Sequence, residues 1–126
     1  SPDGSRLAFS YRPNPAWATR KAREEREKAK RSTPPIVVRR LAYREEGVGY
    51  FGDERWHLQV LDVATRAVTQ VTHGDHDQGD FCWSPDGAEL AFVTNRSADP
   101  DVTPYLKEIR VVPAAGGEER LIPAAP

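Results

Sequence analysis

The run Thr72 to Asp80, "THGDHDQGD", gathers His73, Asp75, His76, Asp77 and Asp80 within nine positions. Clustered carboxylates attract hard cations, and imidazoles suit transition metals. A calcium loop would need D-x-[DN]-x-[DN]-G and a distant Glu, and this run has neither. It is therefore expected to be a structural loop, and no metal is assigned. A second candidate is Glu45-Glu46, because two adjacent carboxylates can satisfy one ammonium; its plainer reading is an exposed turn pair. The guanidinium groups of Arg39, Arg40, Arg44 and Arg55 have the opposite taste and grip carboxylates in a fork. Cys82, between Phe81 and Trp83, has no partner motif that would make it a nucleophile and is expected to be a small core residue. No cofactor motif is present.

These groups are positioned by a phrase that occurs twice. Ser84 to Val93, "SPDGAELAFV", repeats Ser1 to Ser10, "SPDGSRLAFS", at an offset of 84 − 1 = 83 residues. Phe81 to Ser84 reads as a strand. Pro85-Asp86-Gly87 is a turn, in which Pro fixes φ at one corner and Gly accepts positive φ. Leu90 to Thr94 is the returning strand. In the first copy Leu7, Ala8 and Phe9 stand for Leu90, Ala91 and Phe92, and the incoming strand would lie before Ser1. Two more strands follow each phrase. After the second they are Ile109 to Val112 and Arg120 to Ile122, joined at Ala115-Gly116-Gly117. After the first they are His57 to Val63 and Ala67 to Thr72, joined at Ala64-Thr65-Arg66.

Each phrase thus opens a four-stranded unit, and the pattern is all-β. A propeller blade takes about 40–45 residues, so the 83-residue offset requires an insertion. That insertion is 13–50. Asn14-Pro15 is expected to cap a charged helix running to Arg31, supported by Glu24–Lys28 and Glu27–Arg31 pairs. Thr33-Pro34-Pro35 ends it, and an extended stretch with bends at Gly47, Gly49 and Gly52 follows. The expected organisation is a first blade over 1–72, with the 13–50 insertion, and a second over 79–123. Propellers close with roughly four to eight blades. Two blades leave one-sided cores, so together with the absence of Met and the start in mid-phrase, the chain is expected to be a piece of a larger propeller.

A net charge of −1 gives no field that calls for nucleic acid, even though Arg20 to Arg31 is locally basic; its mixed charges read as a solvated face. No apolar run approaches the roughly 18 residues of a membrane span. One cysteine forms no internal disulfide and permits a reducing compartment. A cytoplasmic location is expected, with no membrane partner.

"WSPDG" with "LAF" is common to many propellers. Added to it are the charged helix, "RRLAYREEGVGYF" and "WHLQVLDVATRAVTQVTHGDHDQGDFCWSPDG". The whole resembles the N-terminal propeller of the prolyl oligopeptidase family of serine peptidases, nearest its acylaminoacyl-peptidase branch. The resemblance implies a propeller over an α/β-hydrolase domain that carries a Ser-Asp-His triad with its serine in a G-x-S-x-G elbow. No serine of this chain has that context, so no catalytic residue is carried over, and the hydrolase domain is not in this segment. The implied role is gating of short peptides, with Arg39, Arg40, Arg44, Glu45, Glu46 and Arg55 as chamber candidates. Dipeptidyl-peptidase relatives hold a substrate amino terminus with paired propeller glutamates; the acylaminoacyl branch accepts blocked termini and has less need of them. The expected partners are a short peptide, the hydrolase domain of the same parent chain, and further copies in a homo-oligomer. The alternative is a Tol-type or WD-repeat binding propeller without an enzyme, against which the 13–50 insertion argues. A short protein that builds a propeller from several copies is a third reading.

Overall fold

The computed structural model describes residues 1–123 and is mostly β, with three antiparallel sheets and one short α-helix. The chain divides into two compact units. The first combines Ser1–Arg12 with the chain from Arg55 onward, and the second is Pro13–Glu54.

In the first unit, β1 (Arg6–Tyr11), β4 (His57–Asp62) and β5 (Val68–Gln70) form a sheet in the order β1-β4-β5. β6 (Gln78–Trp83), β7 (Glu89–Thr94), β8 (Glu108–Pro113) and β9 (Arg120–Ile122) form a meander. The internal repeat holds residue for residue, since β1 and β7 begin and end 83 positions apart (89 − 6 and 94 − 11).

The two phrases fold into the same turn. In the second, Gly87 N–H donates to Ser84 O at 2.9 Å, and Asp86 Oδ1 accepts from the Ser84 hydroxyl and from Ala88 N–H. In the first, Gly4 N–H donates to Ser1 O at 3.0 Å, and Asp3 Oδ1 accepts from the Ser1 hydroxyl and from Ser5 N–H. These donors hold both carboxyls below the usual aspartate range, the serine hydroxyl contributing most in each case. Gly4 and Gly87 have φ of +73° and +71°, a region that Cβ-bearing residues resist.

Alternation along the strands makes the core. Leu58 and Val60 of β4 and Leu90 and Phe92 of β7 point to one side of their sheets. With Val71 and Val112 they form one buried cluster, against which Ala8, Phe81 and Trp83 pack. Full burial of such a side chain stabilises by about 1.5–3 kcal/mol. At one end of this interface, Arg6 Nη2 donates to Gly87 O at 2.6 Å, and its guanidinium lies 5.1 Å from the Trp83 ring centroid.

The opposite face of each sheet carries an apolar patch beside polar side chains, Gln59 and Gln70 on the first sheet and Glu89 and Arg120 on the second. Leu7, Leu61 and Val68 share a face of the first sheet by register, and Leu7 is 55% exposed. Val93, Ile109 and Ile122 share one on the second, and Ile109 is 48% exposed. Cys82 falls on that outer face, opposite Ala91, and is exposed. This corrects its expected place in the core. Period-2 alternation gives Cys82 the side opposite Phe81 and Trp83, and those two rings take the core side.

In the second unit the helix is shorter than expected. Ala16–Ala18 is a single 3-10 turn, and α1 spans Arg20–Lys28. Thr19, not Asn14, caps it, with Oγ1 accepting Ala22 N–H at 3.2 Å. The ion pairs recorded along α1 are Arg20–Glu24 and Lys21–Glu25, in place of the expected pairs nearer its end. Lys30 takes φ of +51°, outside helical geometry, which places Arg31 beyond α1. β2 (Arg44–Glu45) and β3 (Gly49–Tyr50) form a minimal hairpin where an extended stretch was expected, with Gly47 at φ +81° in its turn. Tyr43 and Tyr50 stack across it at 6.3 Å.

Candidate functional site

The structure places Arg39, Arg40, Arg44, Glu45 and Glu46 in the Pro13–Glu54 unit and Arg55 in the other. Arg39 Nη1 meets Asp53 Oδ2 at 3.3 Å, a pair that is well exposed at both ends. Arg40 is half-buried and engaged. Arg44 lies over the Tyr50 ring at 5.5 Å, while Glu45 pairs with Gly49 across the hairpin and Glu46 lies in its turn, both exposed. Arg44, Glu45 and Glu46 thus share one small hairpin, with Arg44 and Glu45 on alternate faces of β2.

Arg55 has a different task. It is 17% exposed, with Nε 2.6 Å from Asp75 Oδ1 and Nη1 3.5 Å from Asp77 Oδ2. Asp77 Oδ1 also accepts Trp56 N–H at 2.9 Å. Two of the carboxylates in the Thr72 to Asp80 run therefore fasten that loop to the start of β4. Among the described residues, no group of three or more His, Cys, Asp or Glu side chains is arranged to hold a metal ion.

The loop's His73 also pairs with His57 at the start of β4. His57 and His73 lie with ring centroids 6.5 Å apart, and His57 Nδ1 is 3.4 Å from the Thr72 hydroxyl, which accepts Leu58 N–H. Partial burial, then the neighbouring His73, lowers the His57 pKa; Asp77 and Glu119 oppose this, and Arg96 adds to it. The folded state thus binds the His57 proton less readily than the unfolded chain does. That stability is fully present above the ordinary imidazole value of about 6.5 and is lost as pH falls through the lower folded value. Acidification from pH 7.5 to 5 is expected to reduce resistance to urea, and His57→Asn to flatten this dependence. Equal slopes for both proteins would assign the effect to other groups.

Sequence reasoning missed a cleft of about 480 Å³ in the first unit, lined by Ser10, Trp56, Gln78, Gly79, Asp80 and Phe81. The Arg12 guanidinium stands 4.9 Å from the Trp56 ring centroid. Gln78 is 3% exposed; its amide donates to His76 O, and its Oε1 accepts no hydrogen bond. A second groove, about 290 Å³, runs over Cys82, Ala91, Val93 and Ile109 on the outer face of the second sheet and is also lined by Asp80, Phe81 and Phe92. The aromatics were visible in the sequence, but their convergence with Ser10 depends on β1 lying near β6.

No family model matches the chain. It is 27% identical over 104 residues to a Bacillus subtilis (strain 168) protein described as the uncharacterized peptidase YuxL. The match covers 82% of this chain and 15% of that protein, so the chain is similar to a small segment of a peptidase. Among the described residues, no helix is long and apolar enough to cross a membrane.

Proposed function

We propose that the chain contributes two neighbouring blades to the propeller of a serine peptidase of the prolyl oligopeptidase kind, nearest the acylaminoacyl-peptidase branch. The observation that carries this reading is the 83-residue repeat folded into two sheets that share one core and bear apolar patches on their outer faces. Such faces fit a unit that stacks between further blades. The likeness to a peptidase segment gives the array its class.

In this reading the first blade comprises 1–72 with its 13–50 insertion, and the second 79–123. The segment performs no bond chemistry. It narrows access to a hydrolase domain elsewhere in the longer protein, where a serine attacks the peptide carbonyl and is acylated. Arg39, Arg40, Arg44, Glu45, Glu46 and Arg55 are the chamber residues proposed to meet peptide termini, although Asp75 and Asp77 already hold Arg55. The protein works in the cytoplasm, where its lone cysteine stays reduced, and self-association is part of the proposal.

The test uses the full-length protein. A fluorophosphonate probe is expected to label one serine outside this segment, and the enzyme to release an acylated amino-terminal residue from short peptides while sparing folded proteins. Absence of both labelling and peptide cleavage would overturn the peptidase reading and leave a binding propeller.

A further inference from the structure

Charge is unevenly spread along this chain. Arg20 to Arg44 holds ten basic and three acidic residues, a net of +7. The rest of the chain holds 18 − 10 = 8 basic and 19 − 3 = 16 acidic residues, a net of −8. The overall −1 therefore hides two opposed regions. All three acids of the basic stretch, Glu24, Glu25 and Glu27, lie in α1, where Glu24 and Glu25 pair with Arg20 and Lys21. From Lys28 to Arg44 there are six basic residues and no acidic one.

That second part has no helix or strand of its own, since α1 stops at Lys28 and β2 starts at Arg44. Pro34 and Pro35 keep its middle from coiling. Every residue in it is exposed except the half-buried Arg40. Val37, Val38 and Leu41 are 68%, 52% and 69% exposed, so cations and aliphatic groups meet water side by side. The solvated face of α1 does not share this mixture, which suits a protein contact: apolar groups supply area and charges supply orientation.

The occupant has to be acidic and offer apolar surface. Nucleic acid would be drawn to this segment but repelled by the −8 of the remaining chain, and its phosphates give Val37, Val38 and Leu41 nothing to pack on. The connection between β7 and β8 carries the complementary set. Asp99 and Asp101 stand there beside Val102, Tyr105 and Leu106, which are all more than half exposed. Its own hydrogen bonds hold this connection in shape: Asn95 Nδ2 donates to Thr103 O, Thr103 N–H to Asp99 O, and Leu106 N–H to Thr103 O. A surface ordered in advance loses less entropy on binding.

We infer that the Lys28–Arg44 segment is a docking surface for a second copy of this protein, and that it meets the β7–β8 connection of that copy. Each copy carries both elements, so a two-fold pair makes the contact twice. The inference rests on the self-association in the reading above and not on the peptidase class.

Cross-linking of the full-length protein tests this. Unlabelled and nitrogen-15-labelled copies are mixed and treated with a carbodiimide, which joins amines directly to carboxylates. Links are expected between Lys28 or Lys30 of one isotope and Asp99 or Asp101 of the other. Their yield should fall at least about tenfold as sodium chloride rises from about 50 mM to about 500 mM, because salt screens exposed charges. Links confined to a single isotope would overturn the inference and assign the segment to its own chain. Absence of mixed-isotope links at both lysines would also overturn it; retention on heparin or on anionic vesicles would then assign the segment to a polyanion or a lipid surface. Mixed-isotope links in a protein that no serine probe labels would support this contact and sink the peptidase reading alone.

Discussion

Phe92→Ala is expected to lower the stability of this region by about 3–5 kcal/mol, the usual cost of deleting a fully buried aromatic ring. Phe92 is 1% exposed and lies at the centre of the cluster that joins the two sheets. It stands opposite Phe81 in the β6–β7 register, while Leu58 and Val60 approach from the other sheet. The cavity left by truncation would have walls from two different sheets. The smaller change Phe92→Leu should keep most of the contacts and cost markedly less. Urea denaturation of the variants, read as the shift in midpoint at unchanged slope, measures both. A loss below 1 kcal/mol for the alanine variant would show that the sheets do not depend on this shared core.

The second expected result contrasts two glycines with nearly the same backbone. Gly4→Ala and Gly87→Ala each place a Cβ at φ near +70°, costing roughly 1–2 kcal/mol from backbone sterics. A Cβ on Gly4 meets nothing within 4 Å. A Cβ on Gly87 comes to 3.3 Å from Pro2 Cδ and 3.4 Å from Arg6 Nη2. Arg6 cannot simply withdraw, because its guanidinium both donates to Gly87 O and covers Trp83. Gly87→Ala should therefore cost about 1 kcal/mol more than Gly4→Ala, in the range of overpacking penalties. Equal losses would mean that the contact between the two turns gives way freely.

That contact shows how far the sequence could be read. The strand ends, the Pro-Asp-Gly turns and the 83-residue offset rest on local rules: period-2 burial, fixed proline φ and glycine's tolerance of positive φ. The second sheet formed close to where its residues indicated, although β6 begins at Gln78, three residues before the expected start at Phe81, and carries a register shift there. The insertion was less legible. Asn14-Pro15 was the expected helix start, whereas Thr19 Oγ1 accepts Ala22 N–H and caps α1 five residues later. Cys82 was misplaced because residue type alone favoured the interior, whereas alternation between two core-facing aromatics sends it outward.

The candidate residues divide along the same line. Glu45, Glu46 and Arg44 could be recognised as chemically capable, but only the structure shows that they sit on a two-residue-strand hairpin with Arg44 over Tyr50. Arg55 looked equally available, and the fold commits it to Asp75 and Asp77, residues 20 and 22 positions later. The sequence by itself determined the repeated turn, its strands and the mainly β character, because each follows from interactions within a few residues. Tertiary structure alone decided that the sheets share Leu58, Val60, Leu90 and Phe92 in one core and that Arg6 reaches Gly87 O. Those outcomes depend on which strands meet across long separations, and no local propensity encodes that choice.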